Sequence, residues 1–251
     1  MSLSIQQILE ATVSEAKRLL QRHKYTDGEH ALHLDIGPGH GNLIKLLRKE
    51  GSFITSACDY TADLMTLDDV KVDIVDLNTQ KLPYQDNAFD LVTCTEVIEH
   101  IEHYREALRE MHRVLKPSGV LVVTTPNILN IKSRLRFLFF GFYNLFGPLH
   151  TKESCIYSTG GHINPVSFFY LAHALMDAGF CNANLTVDKY QRSSFIYFIL
   201  LAPLIKLSSL LNIRKERTKF ATIDDSNISF VRKMSSMDML LGRTIVVSCT
   251  K

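Results

Sequence analysis

The chain has 251 residues, 46% of them hydrophobic, enough for one large core, so a single α/β domain over residues 1–251 is expected. Charged residues make up 22% and the formal net charge is +2, a balance that argues against nucleic-acid backbone as the main partner. The five cysteines form no CxxC pair and read as small buried hydrophobes in a reducing compartment.

The N-terminus, MSLSIQQILEATV, lacks a basic segment followed by an apolar run, so no signal peptide is expected. The expected location is cytoplasmic, including contact with the inner membrane surface. Ser4 to Gln7 has the form of a capping box, and Ile5, Ile8, Leu9, Val13, Ala16, Leu19 and Leu20 recur at helical spacing, which predicts an amphipathic helix over 4–23. Strands and helices then alternate. Residues 31–36, 53–58, 72–75, 88–95 and 120–125 read as apolar strands, with helices at 42–49 and 104–115, the latter closed by the turn Lys116-Pro117-Ser118-Gly119. Such a pattern implies a mostly parallel sheet covered on both faces. Further on come a helix over 167–178 stopped at Gly179, a strand near 184–190 and a last strand over 243–249. Two insertions interrupt the second half, at 127–165 and at about 192–240.

The segment LDIGPGHG puts Gly37, Gly39 and Gly41 directly after the first strand, where backbone can turn sharply and approach a ligand. A dinucleotide loop wants G-x-G-x-x-G, but Asn42 stands in the last glycine's place, and no Gly-Lys-Ser/Thr follows as a phosphate loop requires. Asp35 beside the turn would repel a pyrophosphate but suits a cationic amino-acid group, directly or through water. Asp59, at the end of the second strand, can accept from both ribose hydroxyls. Asp76 can receive an exocyclic amine while Leu77 packs on a purine. Singly, each aspartate also reads as a helix cap or a solvated turn.

In order along the chain, LDIGPGHG, CDYT, LPYQDNAFDLVTCTEVIEH and REMHRVLKPSGVLVVTTPN resemble the class I S-adenosylmethionine-dependent methyltransferases. The resemblance is strong over 31–127 and weak over the closing LLGRTIVVSCTK. It implies a Rossmann-like, seven-stranded, mostly parallel sheet with helices on both faces, its last strand antiparallel and inserted between the fifth and sixth. It also implies that S-adenosyl-L-methionine is held by Asp35, Gly37, Gly39, Gly41, Asp59, Tyr60, Asp76, Leu77 and Thr95.

On the acceptor side, Glu96, Glu99 and His100 fall at i, i+3 and i+4, which on a helical turn share a face. A solvated acidic helix start is the plain alternative. Glu96-x-x-Glu99-His100 with a downstream His162 resembles ubiquinone-biosynthesis O-methyltransferases and the enzymes that methylate small-RNA 3′ ends. That resemblance implies Glu99, His100 and His162 as catalytic groups. It also implies Glu96, Glu99, His100 and His162 as ligands of a divalent Mg, Mn or Zn ion, with His150 a rival fourth ligand.

The insertions carry Lys132, Arg134 and Arg136 ahead of an aromatic run, and a strongly apolar stretch over 195–213 followed by RKERTK. Pro203 and Lys206 argue against a spanning helix. Burial in the core is one alternative, and a lid or interfacial surface facing a lipid-like acceptor is the favoured one. The expected function is O-methylation of a small or lipid-linked acceptor, such as a quinone-precursor phenol or a glycan hydroxyl. RNA ribose 2′-O-methylation and a non-catalytic cofactor-binding regulatory subunit are the alternatives. Peripheral membrane contact is expected, nucleic acid is not the expected partner, and the oligomeric state is left open.

Overall fold

The computed structural model describes residues 3–20, 30–150, 152 and 161–251. Helix α1 spans Leu3–Leu20, and residues 21–23 of the expected helix lie outside the described residues. The strands are β1 (Ala31–Ile36), β2 (Phe53–Asp59), β3 (Val72–Ile74), β4 (Phe89–Thr95), β5 (Leu115–Pro126), β6 (Cys181–Val187) and β7 (Thr244–Thr250). Between and around them lie α2 (Asn42–Glu50), α3 (Tyr104–Val114), α4 (Ile131–Phe140), α5 (Phe168–Asp177), α6 (Phe195–Lys215), α7 (Ile228–Lys233) and α8 (Met237–Leu241).

The seven strands make one sheet in the order β3-β2-β1-β4-β5-β7-β6. Strands β1 to β5 pair in parallel, and β7 runs antiparallel between β5 and β6, as expected. Successive side chains of a strand point to opposite faces, and β5 shows why the apolar run is continuous. Val120 and Val122 pack with Leu9, Val13 and Leu47 under α1 and α2. Leu121 and Val123 pack on the other face with Leu108 and Met111 of α3 and with Leu171 and Leu175 of α5. Leu108 and Met111 are fully buried, so truncating either to alanine should cost ~2–5 kcal/mol.

Strand β5 starts earlier than predicted. The Lys116-Pro117-Ser118-Gly119 turn lies inside its span as an irregularity, with Ser118 at φ +65 and a register shift between Phe89 and Leu91. Ser118 N–H donates to the Lys251 carbonyl, and Lys251 N–H to the Gly119 carbonyl, so the C-terminus pairs with the turn. Cys58, Cys94 and Cys249 are buried as expected, whereas Cys181 is exposed at the start of β6, the edge strand; Cys155 lies outside the described residues.

The second insertion departs most from core burial. Helix α6 is continuous through Pro203 and Lys206, and it buries one stripe only. Ala202, with Phe198, Leu201 and Ile205 beside it, packs on Ile131, Leu135 and Leu240, while the remaining faces are open.

Candidate cofactor and acceptor site

The carboxyl ends of β1, β2 and β4 open onto a cavity of about 360 Å³, within the range of ~300–1,000 Å³ usual for small-molecule sites. Its position follows the rule for open α/β sheets, where ligands sit beyond the strand ends at the point where strand order reverses, here between β1 and β4.

Three glycines shape the loop after β1, each in the left-handed region at φ +72, +49 and +72 for Gly37, Gly39 and Gly41. Their roles differ. A Cβ on Gly37 would lie 2.3 Å from Val97 Cγ2, so Gly37 lets β1 and the segment after β4 close together. A Cβ on Gly39 would meet nothing within 4 Å, and Gly39 lines the cavity: the bare backbone there faces ligand space. Gly41 does not line the cavity; it caps α2, and a Cβ there would collide with Leu67.

Asp59, Tyr60, Asp76 and Leu77 line the cavity. Asp59 Oδ1 accepts from the Tyr60 N–H at 2.7 Å, and burial raises its pKa. Asp76 lines the cavity and also holds its own turn, since Oδ1 accepts from Asn78 N–H and Oδ2 from the Thr79 hydroxyl. The turn reading of this aspartate is thus met by its own hydrogen bonds, while its side of the cavity stays open to a ligand. Ile36, Cys58, Val75, Asn78, Val97 and Ile101 also line it; the apolar ones escaped notice because apolar residues at and after strand ends look like core.

Asp35 and Thr95 do not line the cavity, contrary to expectation. One residue inside the strand end, Asp35 is enclosed between Ala57 of β2 and Thr93 of β4. Its Oδ1 accepts from the Thr93 hydroxyl at 2.7 Å, and its buried Oδ2 has no partner among the described residues. Thr93 Oγ1 lies 2.8 Å from His33 Nε2, and His33 Nδ1 lies 3.1 Å from Thr55 Oγ1. Because Thr93 spends its proton on Asp35, His33 Nε2 must donate and Nδ1 must accept, which fixes the tautomer. Burial lowers the His33 pKa to about 3 and raises that of Asp35 to about 7. Thr95 ends β4 with a buried hydroxyl that has no partner among the described residues.

The charge of the cavity is its most informative property. Asp59, Asp76 and Glu96 line it, and no lysine or arginine does, among the described residues. Such a wall repels a pyrophosphate and favours a ligand with positive groups.

Beyond β4 the expected helical turn is not regular. Glu96 sits at φ +54, so Glu96 and Glu99 do not stack on one helical face; a short 3₁₀ turn covers Ile98–His100 only. Glu96 Oε1 accepts from the Thr124 hydroxyl at 3.0 Å, and burial raises its pKa. Glu99 is fully buried, and neither carboxyl oxygen has a hydrogen-bond partner among the described residues. Burial, then the nearby Glu96, push its pKa well up; Thr125, whose hydroxyl is also unpartnered, only tempers this.

Residues 161–164 dock onto this turn. Ile163 and Asn164 N–H both donate to the Glu99 carbonyl, and the Asn164 amide donates to the Ile101 carbonyl. The docking brings the His162 and His100 rings to 4.7 Å, edge to face, with Phe146 against His162 at 5.2 Å. Glu99, His100 and His162 each place a ligating atom within 4.8 Å of the others. Glu96 is not brought into this group, because its left-handed backbone turns it to Thr124, and the exposed His150 is not in it either. His100 Nδ1 lies 3.1 Å from the Gly161 carbonyl, which can only accept, so Nδ1 carries the proton and Nε2 keeps its lone pair. Burial lowers both histidine pKa values, and His100 lowers that of His162 further.

Residues 34–123 match the family described as a methyltransferase domain. An uncharacterized protein of Methanocaldococcus jannaschii is 33% identical over 131 residues, 52% of this chain and 55% of that one. The ubiquinone/menaquinone biosynthesis C-methyltransferase UbiE of Pseudomonas fluorescens is 35% identical over 117 residues, 43% of this chain and 44% of its own. The chain thus spans about half the length of the curated relatives it matches. A crystal structure of an S-adenosylmethionine-dependent methyltransferase from Archaeoglobus fulgidus superposes with a TM-score of 0.54 at 19% identity, covering 97% of this chain and 94% of that one. Residues 34–123 are therefore similar to a methyltransferase domain, and the sheet that carries them has the fold of the class I S-adenosylmethionine-dependent methyltransferases.

Proposed function

We propose that the chain transfers the methyl group of S-adenosyl-L-methionine to a hydroxyl oxygen of a small or lipid-linked acceptor, such as a quinone-precursor phenol or a glycan hydroxyl. The observation that carries this reading is the double membership of His100, which both lines the cofactor cavity and belongs to the Glu99–His100–His162 group. The cavity supplies the methyl donor's place: its carboxylates suit the sulfonium and ammonium charges, Asp59 suits the ribose hydroxyls, and Leu77 gives the purine an apolar wall. The methyl carbon is already activated by the sulfonium, so the protein need only align the acceptor and take its proton. His100, which lines the cavity and keeps a lone pair on Nε2, accepts the hydroxyl proton as the O–CH3 bond forms and the C–S bond breaks. S-adenosylhomocysteine leaves and the proton passes to solvent.

The three donors also fit a divalent ion. One carboxylate and two imidazoles are a usual mixed oxygen/nitrogen set, and two unpartnered oxygens on the buried Glu99 are what a cation would neutralise. In that alternative Glu99, His100 and His162 would hold Mg, Mn or Zn, His100 Nε2 would be a ligand in place of the base, and the ion would lower the pKa of an acceptor hydroxyl.

The C-methyltransferase named among the relatives favours a second reading, transfer to a ring carbon made nucleophilic by the same phenol deprotonation. Incubation with methyl-labelled cofactor and a panel of phenols and glycosides, followed by NMR of the product, separates the two. A methoxy signal supports the oxygen reading. A ring methyl replaces it by the carbon reading, and cofactor binding without transfer to any acceptor leaves the regulatory-subunit alternative.

A further inference from the structure

We propose that α4 and α6 form a monotopic docking surface for an anionic lipid leaflet. The surface contact does not depend on the acceptor's identity. Helix α6 is 21 residues of mostly apolar sequence, about 31 Å at ~1.5 Å per residue, yet only 11% of its most apolar window is buried. A helix apolar on every side belongs either in a core or in lipid. Its single packed stripe against α4 and α8 leaves Ile196 71% and Leu200 65% exposed, with Leu204 and Leu211 also open. The end of α4 extends the same patch, with Leu138 72% and Phe139 82% exposed. Where the two helices meet, Leu135, Arg136, Phe139, Phe140, Leu200 and Leu201 line a cleft of about 660 Å³. A contiguous apolar surface of this kind marks an interaction site.

The charges choose the partner. Between 189 and 215 there is no acidic residue, and Arg192, Lys206, Arg214 and Lys215 are all exposed. Lys219 adds a further exposed cation just beyond the helix. From 192 to 220 six basic residues face one acidic residue in sequence, and 127–150 holds three basic and no acidic residues, in a chain whose net charge is only +2. Arg134 does not contribute, being half-buried with its guanidinium bound to the Leu129 and Met234 carbonyls. An apolar face rimmed by cations suits acyl chains below and anionic headgroups above.

Topology argues for insertion without crossing. After α6 the chain returns through α7 and α8 to β7, which lies inside the sheet between β5 and β6. Leu240 of α8 packs in the same cluster as Ala202 within α6, so the helix lies against the domain along this stripe. The patch also leads to the acceptor group, because Leu145 is exposed while the next residue, Phe146, is buried against His162. Delivery of a lipid-linked acceptor along this path rests on the methyltransferase reading, whereas docking does not.

Flotation of the full chain with vesicles of phosphatidylcholine alone, or with 30% (about one-third) phosphatidylglycerol, tests the surface. Binding to the anionic vesicles, falling at least tenfold in L200E and in F139E and weakening with salt, is expected. Both side chains are exposed and outside the cavity, so thermal melting and S-adenosylmethionine binding should match the wild type, which separates lost docking from misfolding. A full chain that stays at the bottom of the gradient with anionic vesicles overturns the proposal. So does binding that both variants retain, or a dimer that both variants dissolve without any vesicle binding by the wild type. Cofactor binding measured on the same samples keeps a failed docking surface distinct from a failed methyltransferase reading.

Discussion

Gly37→Ala probes the contact that holds the cofactor loop against the acceptor turn. At φ +72 an alanine pays ~1–2 kcal/mol for left-handed backbone, and its Cβ would lie 2.3 Å from Val97 Cγ2. Val97 has little room to retreat because the next residue, Ile98, is fully buried, so the overlap should cost a further ~1–3 kcal/mol. The total is ~2–5 kcal/mol, read as a lower urea midpoint at unchanged slope. Val97→Ala removes both methyls and leaves Cβ at 3.7 Å, an ordinary contact. The double variant should therefore recover the ~1–3 kcal/mol of overlap and keep the backbone cost, a coupling that a double-mutant cycle reads directly. Gly39→Ala is the control: nothing lies within 4 Å of its Cβ, so it should lose only ~1–2 kcal/mol of stability while cofactor binding falls at least roughly tenfold. A Gly37→Ala variant within ~0.5 kcal/mol of wild type, or strict additivity with Val97→Ala, would refute the proposed packing.

Asp35 has a pKa raised by burial to about 7, so the folded state holds a proton that the unfolded state releases near 3.8. Stability on its account is present below pH 4 and is lost as pH rises towards 7. Asp35→Asn should remove that decline, with the difference between the two proteins changing by up to ~4 kcal/mol across the window at ~1.4 kcal/mol per unit; a constant difference from pH 4 to 7 would contradict an uncharged Asp35. His162 lies outside the cofactor cavity, so His162→Ala should leave cofactor affinity within about twofold while transfer drops at least roughly a hundredfold. If an ion sits on Glu99, His100 and His162, exhaustive chelation should mimic this variant and added metal should restore only the wild type; full activity after chelation rejects the ion and leaves His100 as the base.

The parts of the molecule set by short-range rules were legible from the sequence. Period and punctuation located the seven strands to within a few residues, and the G-x-G-x-G spacing after β1 identified a loop that does open on a cavity. What escaped was set by contacts between distant segments. Asp35 looked like a cofactor contact because it sits beside the loop, but its neighbours on β2 and β4 enclose it. The resemblance made Glu96 a ligand and the i, i+3 spacing put it on a helical face with Glu99, but its φ of +54 breaks that face. Glu99, His100 and His162 did come together, since the Glu99 carbonyl recruits the backbone of 163 and 164. Core or surface could not be decided for 195–213 from hydropathy alone, because an apolar stretch gives no sign of whether the sheet has room for it.

Titration calorimetry of S-adenosylmethionine into the full chain and into Asp59→Ala tests the cofactor assignment most directly. The wild type should bind at micromolar affinity, on the order of −7 to −8 kcal/mol, and ignore a nicotinamide dinucleotide. Asp59→Ala should weaken binding by ~1–3 kcal/mol, because the ribose hydroxyls lose a charged acceptor. No binding to the wild type, or a preference for the dinucleotide, would contradict the assignment of the cavity.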